Sequence, residues 1–227
     1  MKQSFFLILA LILNAQGGIV NVEPERGRPL AAVQWLDESG RTRELSEFSG
    51  YPLVVVPIYT RCRGACVQTV NHLKEALAGS SSDPRQFRIL LFSFDATDTP
   101  AILAQYRERE HIPLAWTIGA ATQPNIDNLL ESIGTPVGRA GREFTHPNVL
   151  VFADAKLRIA QWIYGTGYSA RAFDRALQVA AGKSDWLGRN SDLVYTLLLF
   201  GAVILCVMLF QQLLTRPALP SNAPKSA

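Results

Sequence analysis

The run Leu53-Val54-Val55-Val56-Pro57-Ile58-Tyr59 gives way to the helical pattern Val67, Val70, Leu73, Leu77, and the segment between them carries two cysteines, Cys62 and Cys66. An apolar β-branched run reads as a buried strand, and 3/4-spaced apolar residues read as an amphipathic helix, so the pair sits at a strand-to-helix junction. The helix is expected over about 62–78. If both cysteines lie in its first turns, their Cβ atoms share a face at roughly 5–6 Å. Four residues of helical rise, about 6 Å, put the Cα atoms near the upper limit for a disulfide, which would need the first turn to unwind. A soft metal ion with thiolate bonds of about 2.3 Å spans the gap more easily. The helix N-terminus and the flanking Arg61 and Arg63 are expected to lower the thiol pKa and favour the thiolate, the form that ligates metal and attacks disulfides. The bland alternative is a pair of structural cysteines.

The rest of the soluble part repeats the alternation of strand and helix. Ala32-Val33-Gln34-Trp35-Leu36 reads as a strand ended by the turn Asp37-Glu38-Ser39-Gly40, and the cysteine helix stops at the loop Gly79-Ser80-Ser81-Ser82-Asp83-Pro84. The apolar run 88–95 suits a strand buried on both faces. Asp98-Thr99-Pro100 caps a helix that carries Ile102, Leu103 and Tyr106 and ends near His111-Ile112-Pro113. A short strand over 114–119 and a helix through Ile126, Leu129, Leu130 and Ile133 follow, then a loop Gly138-Arg139-Ala140-Gly141 before the run 144–152. Residues 157–164 alternate like an antiparallel strand, and an amphipathic helix over 170–181 closes the domain. Parallel strands first, a hairpin later, and cysteines at the first junction describe an α/β chain of thioredoxin-like type, a central sheet flanked by helices.

Both ends carry apolar segments. Met1-Lys2-Gln3-Ser4 followed by the short apolar run 5–13 and the small residues of 14–18 reads as a secretory signal peptide over 1–15 rather than an uncleaved anchor. A linker is expected over 16–31, the thioredoxin-like domain over 32–183 and a juxtamembrane linker over 184–192. The uncharged stretch 193–214 has the length of a transmembrane helix, and 215–227, with Arg216 at its start, reads as a short cytoplasmic tail. This predicts a single-pass protein of the inner (cytoplasmic) membrane, held by its C-terminal helix, with the soluble domain in the oxidising periplasm. Cys206 then lies in lipid, out of reach of the other two. Lys and Arg total 22 against 19 Asp and Glu, scattered along the chain, which argues against a nucleic-acid surface.

Of three histidines, His72 in the cysteine helix and His111 at a helix end read as surface or capping residues. His146 stands in Thr145-His146-Pro147 just before the strand pattern at Val149, and in thioredoxin-like folds a proline at that point approaches the cysteine loop. An imidazole there could complete a Cys2His site.

From about Val33 to Gly182 the chain resembles the SCO/SenC family of copper-binding assembly proteins. The resemblance rests on Ala32-Val33-Gln34-Trp35-Leu36-Asp37 through Leu45-Ser46-Glu47-Phe48-Ser49-Gly50, on C-x3-C after a strand, on Ser93-Phe94-Asp95-Ala96-Thr97-Asp98-Thr99-Pro100, and on a histidine preceding a strand. It implies copper, Cu(I) or Cu(II), held by Cys62, Cys66 and His146 and supplied to the binuclear copper centre of cytochrome c oxidase subunit II, with other copper chaperones or thiol reductants as further partners. The implied role is a membrane-anchored metallochaperone rather than an enzyme. The alternative is a thiol-disulfide oxidoreductase, with Cys62 and Cys66 redox-active, that keeps the oxidase's copper-site cysteines reduced. Two thiolates suit Cu(I) and an added imidazole suits Cu(II) or zinc; the resemblance selects copper. A peroxiredoxin reading is disfavoured, since no T-x-x-C precedes either cysteine.

Asp95 and Asp98 occupy the family's acidic segment, though a strand end and a helix cap account for them equally well. The chain also departs from the family pattern. Arg63 and Val67 stand where prolines follow the cysteines, Ala96 replaces a proline, and Pro147 follows the histidine. Two arginines beside the thiols are expected to weaken the pull on a cation and strengthen nucleophilic character.

Overall fold

The computed structural model describes residues 25–140, 143–183 and 191–214, and the chain divides into two compact units, Met1–Lys183 and Ser184–Ala227. The expected signal peptide, the tail after residue 214 and most of the juxtamembrane linker lie outside the described residues.

The first unit contains strands β1 (Gln34–Asp37), β2 (Thr42–Glu44), β3 (Leu53–Ile58), β4 (Arg88–Ser93), β5 (Thr117–Ala120), β6 (Gly138–Ala140), β7 (Glu143–Thr145), β8 (Val149–Ala153) and β9 (Ile159–Tyr164). Its helices are α1 (Ala65–Ala78), α2 (Pro100–Arg109), α3 (Gln123–Ser132) and α4 (Ala170–Ala180). Seven strands form one sheet in the order β2-β1-β5-β4-β3-β8-β9, and β6 and β7 pair in a separate two-stranded sheet. β3, β4 and β5 run parallel, while β1 and β8 join them antiparallel. This is the expected α/β architecture, a central sheet with helices around it.

β3 is buried at all six positions, with no polar face, as a strand covered on both sides requires. Pro57 lies inside it, where a missing N–H would ordinarily break the ladder. The backbone explains its tolerance. Pro52 O and Ile58 O accept from Arg88 N and Phe94 N, so even-numbered residues of β3 bond towards β4 and Pro57 faces the β8 side. β8 pairs with β3 at Leu53, Val54 and Val55 and has parted from it before Pro57. The two strands therefore splay at the end where the cysteines follow.

α1 buries Cys66, Thr69, Val70, Leu73 and Ala76, one face at helical spacing. It begins later than the periodicity suggests. Tyr59 O accepts from Cys62 N in a turn, and Gly64 (φ −125°, ψ −106°) is outside the helical well, so Cys62 precedes the helix and Cys66 sits in its first turn. On α4, Phe173 meets Phe87 and Phe152 edge-on, at 5.8 and 5.5 Å between ring centroids.

Three expectations change. The stretch 138–141, expected as a loop, contributes β6, whose register pairs Gly138 with Thr145 and Arg139 with Phe144. The run 144–152, expected as one strand, is broken between β7 and β8, because Pro147 has no N–H to donate and restrains the backbone of His146 before it. The expected linker also ends early. Gly27 N donates to Ile159 O at 2.7 Å and Leu30 N to Leu157 O at 2.8 Å, and Leu30 is buried.

A side chain at Gly119 on β5 would place its Cβ 2.0 Å from Trp35 Cδ1, and Trp35 is itself stacked on Phe48 at 5.8 Å. Gly119→Ala is expected to destabilise the unit by about 3 kcal/mol through overpacking, read as a lowered urea midpoint with the slope unchanged.

The second unit holds α5 (Ser191–Leu214), whose described large apolar side chains, Leu197, Phe200 and Ile204 among them, are exposed. Among the described residues no helix is long and apolar enough to cross a membrane. The described side chains of α5 run unbroken only from residue 194 to residue 208, so the membrane helix expected over 193–214 remains a matter of proposal.

Candidate metal centre

Cys62 and Cys66, at the strand-to-helix junction, are free thiols and both are buried. Cys66 N donates to Cys62 Sγ at 3.3 Å. The Cys62 thiol is pulled down to about 5, chiefly by the hydrogen bond from the Cys66 thiol and also by the backbone N–H groups of Cys66 and Gly64, with burial opposing. The Cys66 thiol is pushed up, because its proton is held by Cys62 and because it is buried. Hence one sulfur is a thiolate and the other a thiol, not two equal thiolates. The flanking arginines are not among the main causes. Arg61 is engaged elsewhere: its Nε donates to Asp95 Oδ2 at 3.1 Å, its Nη2 pairs with the same oxygen, and Asp95 is fully buried.

The split gives a pH prediction. A group with depressed pKa is ionised in the folded protein above that value, so Cys62 stays nucleophilic from neutrality down to about pH 5, while an ordinary thiolate disappears below about 8.5. Iodoacetamide is expected to label Cys62 at a rate nearly flat between pH 6 and 8, with Cys66 unlabelled; a rate climbing tenfold per pH unit over that range would contradict it.

His146 follows β7, and its Nε2 lies 3.8 Å from Cys66 Sγ, across 80 residues of sequence. Its Nδ1 is 3.0 Å from Pro147 O. A carbonyl oxygen only accepts, so Nδ1 carries the proton, and the lone pair of Nε2 in the neutral ring faces the sulfur. Burial lowers the pKa of this imidazole and favours that neutral form. The rings of Phe94 and Tyr59 flank it, with centroids at 4.7 and 6.1 Å. Bonds of about 2.3 Å to sulfur and 2.0 Å to nitrogen would set the two ligands roughly 3.5–3.7 Å apart. Cys66 and His146 already stand near that separation.

The three side chains are not yet one cage. Among the described residues no group of three or more His, Cys, Asp or Glu side chains is arranged to hold a metal ion. The arrangement is two adjoining pairs, thiolate with thiol and thiol with imidazole, and Cys66 belongs to both. An open cleft of about 560 Å³ lined by Cys62, Arg63, Tyr59, His146 and Asn148 gives access from solvent. A wider cleft of about 720 Å³ lies between α3 and the β6–β7 hairpin and shares Phe144, but contains neither thiol nor imidazole.

The two aspartates have a role that sequence reasoning missed. Asp98 accepts from Thr60 Oγ1 at 2.6 Å, Thr60 N at 3.2 Å and Ser93 Oγ at 2.5 Å, and the cap of α2 is Thr99, whose hydroxyl accepts from Ile102 N. Asp98 is thus no helix cap, and with Asp95 it fixes Thr60 and Arg61, the two residues before Cys62. A usable signal was present: Thr60 and Ser93 are polar residues closing apolar strand runs, and such groups need a buried partner. His72 bonds Thr166 O at 2.6 Å and His111 takes a turn conformation with φ 50°; neither belongs to the centre.

Comparison with known proteins agrees with this architecture. A family model described as SCO1/SenC matches residues 24–171. A candidate electron transfer protein of Aquifex aeolicus VF5 is 28% identical with a TM-score of 0.68, the match covering 71% of this chain and 98% of that one. ScoI of Bradyrhizobium japonicum with copper bound is 16% identical with a TM-score of 0.57 over 66% of this chain and 98% of its own. BsSco, described with a disulfide switch and as a member of the Sco family of cytochrome c oxidase assembly proteins, is 16% identical with a TM-score of 0.59 over 72% of this chain and 99% of its own. No curated protein sequence matches the chain.

Proposed function

Since the chain belongs to the SCO1/SenC family, we propose that it is a membrane-anchored copper metallochaperone for the binuclear copper centre of cytochrome c oxidase, with Cys62, Cys66 and His146 as ligands and copper as cargo. The observation that carries this reading is the 3.8 Å approach of His146 Nε2 to Cys66 Sγ, with Cys62 hydrogen-bonded to the same cysteine. Copper bound to ScoI, a protein of the same fold, supports it.

The donor set suits the ion. Two sulfurs and a neutral imidazole are soft to borderline ligands of the kind that hold Cu(I) and Cu(II). Cys62 arrives ionised, whereas Cys66 must release its proton, so binding liberates a proton to solvent. The loop Arg61-Cys62-Arg63-Gly64 then has to turn Cys62 towards the imidazole. α5 anchors the protein in the inner membrane with the first unit in the periplasm, and oxidase subunit II is the receiving partner.

The test is Cu(I) stoichiometry of the purified full-length chain beside Cys62→Ser, Cys66→Ser and His146→Ala. One copper per chain is expected for the parent and a loss in each variant; unchanged stoichiometry in all three would sink the reading.

A second reading is favoured by the thiolate–thiol pairing itself. The Cys62 thiolate attacks a partner's disulfide and expels one partner thiolate. Cys66, after losing its proton, attacks Cys62 of the mixed disulfide, closing the Cys62–Cys66 disulfide and leaving the partner with two thiols; a separate thiol reductant resets the pair. This chemistry has no need of His146. A reduction potential that is labile, above the roughly −300 mV of structural disulfides, and unmoved by His146→Ala would favour it.

A further inference from the structure

The β6–β7 hairpin stands outside the seven-stranded sheet, yet β7 ends at the residue before His146. Whatever fastens this hairpin therefore fixes the imidazole. Phe144 in β7 meets Tyr59 and Phe94 edge-on, with centroids at 5.0 and 5.4 Å. Beside that contact the Tyr59 hydroxyl donates to Glu143 Oε2 at 2.6 Å, joining residues 84 apart. Tyr59 is the first residue after β3, three before Cys62, and is buried.

The two kinds of contact constrain differently. Edge-on rings have a preferred geometry, but it is satisfied over centroid separations of about 4.5–7 Å, which leaves room to slide. A hydrogen bond to a carboxylate is short and directional, and it holds one atom against another. Glu143 and His146 are separated by three residues of extended chain, about 10 Å; β8, starting at Val149, holds the ring from the C-terminal side, and the bond at Glu143 is the directional tie on the N-terminal side. The 3.8 Å approach to Cys66 needs it held.

We propose that the Tyr59–Glu143 hydrogen bond is the latch that keeps His146 against Cys66, making both partners positioning residues for the imidazole. In its consequence for copper the idea rests on Cys62, Cys66 and His146 being the ligands; in its consequence for the metal-free protein it does not. Glu143 is exposed, so Glu143→Ala leaves no core cavity. Tyr59→Phe keeps the ring and deletes the hydroxyl, which also lies against Cys62, so Glu143→Ala is the variant that isolates the bond.

The experiment uses the purified full-length chain and both variants. In the metal-free protein, diethyl pyrocarbonate modification is followed by peptide mass spectrometry at His146, with His72 and His111 as internal references. His146 is expected to react about tenfold faster in both variants, the scale of one charge-assisted bond, with the references unchanged. A rise below threefold at His146 in either variant overturns the latch. In the loaded protein, Cu(I) affinity is expected to fall about tenfold in Glu143→Ala and not to fall further when Glu143→Ala is added to His146→Ala, where no ring remains to position. An equal fall in both backgrounds also overturns it. Should His146→Ala alone leave copper binding intact, the ligand reading fails, and the metal-free measurement still decides the latch.

Discussion

Cys66→Ser is expected to remove Cu(I) retention by more than about a thousandfold and to abolish the intramolecular disulfide in the same step. The hydroxyl that replaces the thiol is a hard donor with little affinity for Cu(I), and no second sulfur remains for Cys62. Cys66 is also the residue that the two pairs share, bonded to Cys62 on one side and 3.8 Å from His146 Nε2 on the other. Its loss leaves Cys62 and His146 as isolated donors. Cys62→Ser keeps the thiol–imidazole pair, and His146→Ala keeps the dithiol. The ranking is therefore Cys66→Ser, then Cys62→Ser, then His146→Ala, the last at about a hundredfold or more, since losing a ligand costs more than the roughly 10–100-fold of a group that only supports one. Competition with a chromogenic Cu(I) chelator orders the three. If His146→Ala costs more affinity than Cys66→Ser, the shared role of Cys66 is wrong.

Asp98→Ala is expected to destabilise the first unit by about 4 kcal/mol. The carboxylate takes hydrogen bonds from Thr60 N, Thr60 Oγ1 and Ser93 Oγ, and all three groups lie in residues that are at most 2% exposed. Each buried donor left without a partner costs about 1–3 kcal/mol, and water entering the space offsets part of the sum. Asp98→Asn keeps one acceptor oxygen and should lose about half as much. By contrast, the surface pair Arg85–Asp83 has an arginine 90% exposed, and breaking it is expected to be nearly neutral. Urea denaturation of the three variants supplies the comparison. A loss below 1 kcal/mol in Asp98→Ala would mean that the cysteine loop is not held from this side.

What could be read from residues alone follows from the range of each interaction. β3 and α1 declare themselves through periods of burial within a few residues, and so does the junction that carries the thiols. Cys62 and Cys66 are local, and their pairing needs no knowledge of the rest of the fold. His146 came within reach through a fold analogy, because nothing near it in sequence distinguishes it from His72 or His111. β6, three residues long, is too short for periodicity and reads as a loop, while β7 runs into β8 in the apolar pattern and only Pro147 marks the division. Arg61 illustrates a different failure. Its charge was weighed against the neighbouring thiols, whereas the fold brings Asp95 from 34 positions away to engage it. Charges act on what they touch in space, and sequence proximity was a poor guide to that. The unequal pKa values of the two thiols have the same origin, since they arise from one shared proton in a particular turn.

The separation between the sulfurs and the imidazole also has a consequence in time. Cys66 and His146 are 80 positions apart, which at usual rates of translation, about 5–20 residues per second, is an interval of roughly 4–16 s on the ribosome. For that interval the nascent chain presents two thiols with no histidine to complete their set. A soft metal that meets the chain in that interval meets a dithiol without its imidazole, and the hairpin that brings the ring is made only afterwards.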